Sequence, residues 1–147
     1  MLIQIAETDE DISACFTVLR ELRPKLNEST FVADVRRMQQ QGYVLASLRD
    51  GEVRAVAGYR YYELFATGNT LYIDDLVTDA AHRSSGYGEH LLKWLLAEAT
   101  RNGCNFLTLD SGNKRLGAHR FYRRHGLEDM ALHFAIPTDG GPMWTSE

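Results

Sequence analysis

The stretch from His82 to Leu92, HRSSGYGEHLL, places two glycines and two serines directly ahead of an apolar pattern, Leu91, Leu92, Leu95, Leu96 and Ala99, that recurs at helical spacing. Before it runs TLYIDDLVT, a strand-like segment, and after it, past a helix end at Asn102-Gly103, comes a second one, NFLTLD. A strand, a helix and a strand joined this closely form a right-handed parallel crossover. The glycine turn constrains chemistry as well. At a helix start the first N–H groups lack partners and the dipole is positive, while glycine lets a backbone approach closely. Amides from Ser84 to Gly88, with Arg83 adding charge, are therefore in a position to hold a diphosphate; the plainer alternative is that Gly86 and Gly88 only shape the turn.

The rest of the chain follows without linker, repeat or low-complexity segment. MLIQIAE reads as a short strand, and Thr8 caps a helix whose apolar positions Ile12, Cys15, Phe16, Leu19 and Leu22 run up to Pro24. Phe31, Val32, Val35 and Met38 predict a second helix. From Tyr43 the period changes, and YVLASL, EVRAVAGYRYYELF and TLYIDDLVT predict an antiparallel meander with turns at Asp50-Gly51 and Gly68-Asn69. A helix around RLGAHRFYRRHG and a last strand, MALHFAI, complete the series. The expected fold is a mixed α/β, α+β-like arrangement: a mostly antiparallel sheet with one parallel pair, flanked by about four helices. Its 147 residues, 44% of them hydrophobic, suit a single domain spanning 1–147 with a proper core.

Several function classes fall away. A formal charge of −4 offers no global attraction to nucleic acid or anionic membrane. Cys15 and Cys104 match no metal or redox spacing and read as buried thiols. The histidines His82, His90, His119, His125 and His133 show no ligand spacing, so no metal is expected. No apolar run approaches the length of a membrane span and no leader pattern opens the chain, so the expected location is the cytoplasm. The nucleotide motif G-x-x-x-x-G-K-[ST] is absent, and G-x-G-x-x-G fails because Leu91 stands at its third glycine.

The run from Leu71 to Glu128 resembles the core of the GCN5-related N-acetyltransferase (GNAT) family, which transfers acetyl from acetyl-CoA to amines. Its signature [QR]-x-x-G-x-[GA] is met by Arg83, Gly86 and Gly88, and AHRFYRRHGL is similar to the later A-x-x-F-Y-x-x-x-G-F block, with Ala118, Phe121, Tyr122 and Gly126 in place. Arg115 stands where the family often has asparagine, and Leu127 replaces the usual phenylalanine. The resemblance implies that the parallel strand pair is splayed and that acetyl-CoA is the co-substrate. Backbone groups of Leu76, Val77 and Thr78 would pair with its pantetheine arm and acetyl carbonyl. Arg83, Ser84, Ser85, Gly86, Tyr87 and Gly88 would hold its pyrophosphate. Tyr122 would protonate the departing thiolate, unless it merely packs beside Phe121.

The acceptor side carries a further requirement. With a free pKa of about 10.4, about one lysine-like amine in a thousand is neutral at pH 7, a deficit of about 4 to 5 kcal/mol. A proton acceptor or water path must stand near it. Strand alternation puts Tyr72, Asp74 and Leu76 on one face and Ile73, Asp75 and Val77 on the other. Either Asp74 or Asp75 is thus a candidate, against an ordinary role in the strand. Tyr59, Tyr61, Tyr62 and Glu63 either line an acceptor pocket or pack the sheet. Lys114, Arg115, Arg120, Arg123 and Arg124 either form a solvated helix face or reach the cofactor's ribose 3′-phosphate. The expected activity is direct transfer of acetyl to a primary amine of a small molecule or peptide in a ternary complex, with a homodimer left open; the alternative is a non-catalytic acyl-CoA-binding or regulatory module.

Overall fold

The computed structural model describes residues 1–144; the final three residues of the tail TDGGPMWTSE lie outside that range. The chain divides into two compact units, Met1–Leu109 and the part from Asp110 onward. The first is built on one five-stranded sheet in the order β1-β2-β3-β4-β5, with β1 Leu2–Ile5, β2 Val44–Asp50, β3 Glu52–Leu64, β4 Gly68–Thr78 and β5 Phe106–Leu109. Neighbours pair antiparallel except β4 and β5, which run parallel. The mixed sheet and its single parallel pair are thus as the sequence predicts.

Three helices cover one face: α1 Asp9–Ala14, α2 Phe16–Leu22 and α3 Phe31–Gln39. Thr8 starts α1 with a capping box, accepting from the Asp11 amide at 3.0 Å while its own amide meets Asp11 Oδ2 at 3.5 Å. The continuous helix expected up to Pro24 is instead two, joined at Cys15. The Cys15 amide bonds Ile12 O, three residues back, so one tight turn separates the pair. Their apolar sides, with Phe31 and Val35 of α3, close over Leu45, Val56 and Val77 of the sheet and over Tyr43, just before β2. Phe16 and Phe31 meet edge to face at 5.3 Å.

α4, Tyr87–Arg101, covers the other face. Its Leu91, Leu92 and Leu95 are fully buried, and Trp94 meets Tyr59 edge to face at 6.2 Å. Tyr59 therefore serves packing, whereas Tyr61 and Tyr62 are exposed. Cys15 is completely enclosed and burial pushes its thiol up to about 12, so it is inert as a nucleophile; Cys104 is only half-buried. No helix among the described residues is long and apolar enough to cross a membrane.

The second unit holds α5, Leu116–Arg124. His119 Nε2 lies 2.8 Å from Gly112 O, and the Leu127 amide bonds Tyr122 O at 3.0 Å to close the helix end. The strand expected at MALHFAI does not form here. A strand exists by its ladder, and residues 130–136 have no ladder partner among the described residues, so Met130, Leu132, Phe134 and Ile136 stand 62–87% exposed.

Candidate functional site

The parallel ladder of β4 and β5 runs from Thr70↔Phe106 to Ile73↔Leu109 and ends there. β4 continues for five more residues, Asp74–Thr78, with β3 as its ladder partner. The ladder ends where β5 ends, at Leu109, so beyond Ile73 no β5 residue pairs with β4, and the β5-side edge of Leu76, Val77 and Thr78 is a place where an extended ligand can add to the sheet.

At that point β4 also carries a bulge. Tyr59 pairs with Ile73 and Gly58 with Asp75, so Asp74 is an extra residue in the ladder. The bulge overturns the simple alternation expected for this strand. Asp74 and Asp75 both reach the face covered by α1 to α3, and Leu76, opposite Ala57, turns to the α4 face with Ile73. Arg60 grips the Asp74 carboxylate with two bonds, Nε to Oδ1 at 3.0 Å and Nη2 to Oδ2 at 2.7 Å. Arg23 donates Nε to Asp75 Oδ1 at 2.8 Å and Nη2 to the Asp74 carbonyl at 3.0 Å. Tyr43 donates its hydroxyl to Asp75 Oδ2 at 2.9 Å. Burial first, then the Asp75 charge, raises the Tyr43 phenol well above its ordinary value, so it remains a donor.

Sequence reasoning missed Arg23, Tyr43 and Arg60, which come from distant segments. One signal was available for Arg23. Pro24 disfavours helix at the residue before it, so α2 ends at Leu22 and Arg23 leaves the helical conformation (φ −122°, ψ 78°).

Beyond β4 the chain makes a short 3-10 segment, Ala80–Ser85, then Gly86, then α4. Gly86 caps α4 with φ +80°, a left-handed value that favours glycine, and contributes no side-chain bond to the helix amides. The first helical bond is His90 N to Gly86 O, so the amides of Tyr87 and Gly88 lie in the first turn, ahead of the helix's own bonding. A side chain added at Gly86 would meet nothing nearer than His90 Cδ2 at 4.0 Å, so the space in front of the turn is open. Arg83, Ser84 and Ser85 are exposed beside it.

This turn is firmly anchored. Asp79 accepts from the Ala81 amide at 3.2 Å and lies 2.8 Å from His82 Nδ1; with His82 as the first cause, its carboxyl is lowered. The Ala80 amide donates to Glu21 Oε1 at 3.1 Å, and the Tyr87 hydroxyl donates to Asp50 Oδ2 at 2.6 Å. A pre-formed amide cradle with an open front fits an anion such as a diphosphate.

In the second unit Tyr122 lies on α5 beside Phe121, ring centroids 5.5 Å apart, and burial raises its phenol above the ordinary value. The phenol is thus protonated at neutral pH, as a proton donor must be. Of the basic cluster, Arg123 pairs with Asp129 at 2.7 Å and Arg124 lies over the Phe121 ring. Among the described residues no group of His, Cys, Asp or Glu is arranged to hold a metal ion.

A mostly antiparallel sheet whose one parallel pair parts beside a glycine-capped helix is the architecture of an N-acetyltransferase. The chain belongs to the acetyltransferase (GNAT) family, whose profile matches residues 5–127. It is 35% identical over 115 residues to the uncharacterized N-acetyltransferase YhdJ of Bacillus subtilis, covering 77% of this chain and 81% of that one. It is 32% identical over 89 residues to an aminoalkylphosphonate N-acetyltransferase of Salmonella typhimurium, covering 60% of this chain and 58% of that one. Among solved structures, a Trypanosoma brucei acetyltransferase superposes with a TM-score of 0.72 at 23% identity, over 92% of this chain and 98% of that one.

Proposed function

We propose that residues 1–147 are a single acetyl-CoA-dependent N-acetyltransferase domain acting on a primary amine of a small molecule. The observation that carries the reading is that the β4–β5 ladder ends at Ile73, so the last stretch of β4, Asp74–Thr78, runs without β5 pairing toward the short 3-10 segment that leads to the open amide cradle at Gly86. Backbone groups of Leu76, Val77 and Thr78 would take the pantetheine arm in place of the missing strand, and the segment Arg83–Gly88, with Ser84, Ser85 and Tyr87, would take the pyrophosphate. Acetyl-CoA supplies the activated thioester. The amine nitrogen forms its bond to the acetyl carbon as the carbon–sulfur bond breaks, and Tyr122 gives its proton to the leaving sulfur.

Both carboxylates expected as proton acceptors already have their oxygens engaged, Asp74 by Arg60 and Asp75 by Arg23 and Tyr43. We therefore assign Asp74 and Asp75 to fixing the acceptor side of the strand, and the amine's proton to solvent water. The small-molecule class is favoured by the relative named for aminoalkylphosphonates. The acidic charge favours an amine acceptor over nucleic acid or an anionic membrane as partner, and the location proposed is the cytoplasm.

The test is acetyl-CoA consumption across polyamines, aminoglycosides, amino acids, aminophosphonates and peptide N-termini. Turnover with at least one small amine is expected. Saturable acetyl-CoA binding with no turnover on the whole panel would favour the acyl-CoA-binding module instead.

A further inference from the structure

The geometry points to Tyr43 as a positioning residue for the acetyl-donor site: its hydroxyl stands where a side chain at Gly58 would stand, bonds Asp75, and so fixes the bulge at which β4 leaves β5. This inference rests on the acetyl-CoA reading above.

A bulge interrupts the ladder, so the extra residue must be held by something other than strand pairing. Here side chains do it. Asp75 sits opposite Gly58 in the register, and a Cβ on Gly58 would overlap the Tyr43 hydroxyl and ring. The missing side chain is what lets the phenol pass across β3 and reach Asp75 Oδ2. Arg23 and Arg60 hold the other atoms of the bulge, the Asp75 Oδ1, the Asp74 carbonyl and the Asp74 carboxylate. Tyr43 differs from these arginines in being buried, at 3% exposure, and in standing just before β2, so its one hydroxyl ties the start of β2 to β4 across β3. Arg60 also lies over the Tyr43 ring, 5.5 Å from its centroid, which fixes the ring itself.

The bulge comes immediately after the last parallel pair, Ile73↔Leu109, and immediately before Leu76. Its geometry therefore sets where the backbone groups of Leu76, Val77 and Thr78 point. Loosening Asp75 should misplace those groups while leaving the helices and the rest of the sheet packed.

The experiment measures acetyl-CoA affinity by calorimetry, together with kcat and KM, for wild type, Tyr43→Phe, Gly58→Ala, Asp75→Asn and the Tyr43→Phe/Asp75→Asn double variant. Tyr43→Phe keeps the ring and removes only the bond. It is expected to stay folded and to bind acetyl-CoA about tenfold more weakly, the scale of one hydrogen bond to a charged group. In the Asp75→Asn background the same change should alter affinity less than about twofold, because Tyr43 acts through Asp75. Gly58→Ala should weaken affinity at least as much; if it does not fold, the Tyr43→Phe and double-variant arms decide. A Tyr43→Phe protein with lowered melting temperature but wild-type affinity and kcat overturns the inference, as does an undiminished Tyr43→Phe effect in the Asp75→Asn background. Wild-type protein that binds no acetyl-CoA removes the reading beneath the inference and the inference with it, a result set apart by its appearance in the unaltered chain.

Discussion

Replacing Arg60 by methionine keeps an unbranched apolar stem and deletes the guanidinium that grips Asp74. The side chains of this pair are 27% and 19% exposed, so the pair lies between the surface and the interior. Exposed ion pairs are worth about 0–1 kcal/mol, and stripping one partner from a buried pair costs about 3–5 kcal/mol. Two well-aligned bonds at this partial burial therefore place Arg60→Met at about 1–3 kcal/mol of lost stability. At about 2–4 °C per kcal/mol for a chain of this size, the melting temperature should fall by about 2–12 °C. Urea unfolding of wild type, Arg60→Met, Asp74→Asn and the double variant gives the coupling. The double variant should be less damaged than the sum of the singles by at least about 1 kcal/mol. Additivity to within about 0.5 kcal/mol would mean that Asp74 is not held by Arg60, and would restore it as a free carboxylate available for proton transfer.

Three further outcomes follow from the same structure. Gly86→Val should abolish the rise in melting temperature that acetyl-CoA produces in wild type, because a β-branched residue is strained at φ +80° and stands in front of the amide cradle; an unchanged shift in the folded variant speaks against the cradle. Tyr122→Phe should lower kcat by about ten- to a thousandfold with little change in acetyl-CoA affinity, and the wild-type rate should not lose its acid until pH exceeds the ordinary phenol value, since burial raises that group; near-normal kcat would reduce Tyr122 to packing. Stability should decline in alkali. Cys15 is raised from 9.0 to about 12 and Tyr59 from 10.0 to about 12, so the folded chain keeps protons that the unfolded chain gives up. The stability from these groups is complete below about pH 9 and is lost as pH rises toward 12, by up to about 1.4 kcal/mol per pH unit for each group. Cys15→Ala should flatten that slope in denaturant titrations, and identical slopes would contradict the assignment.

Much of the fold was legible because its signals are local. Thr8 and Asp11 announce the start of α1, Asp50-Gly51 the first hairpin, and the Leu91–Ala99 stripe the buried side of α4. The glycine turn was legible for the same reason, since Gly86 caps α4 directly after the expected strand. The bulge was not. IDDLV reads in one dimension as part of an ordinary strand, and only the pairing of Gly58 with Asp75 and of Tyr59 with Ile73 reveals that Asp74 is extra. Its partners were equally hidden, because Arg23, Tyr43 and Arg60 lie 14 to 52 residues from the aspartates they hold. MALHFAI failed in the opposite way. Its alternation is genuine, yet a strand needs a neighbour, and none pairs with it among the described residues.

The most direct measurement of the central claim follows both products at once, acetylated amine and free CoA thiol, while acetyl-CoA and the best amine of the panel are varied together. The account predicts one acetylated amine for each CoA released, with intersecting initial-velocity lines that mark a ternary complex. CoA released without acetylated amine, or parallel lines with acetyl left on the protein, would contradict direct transfer to an amine.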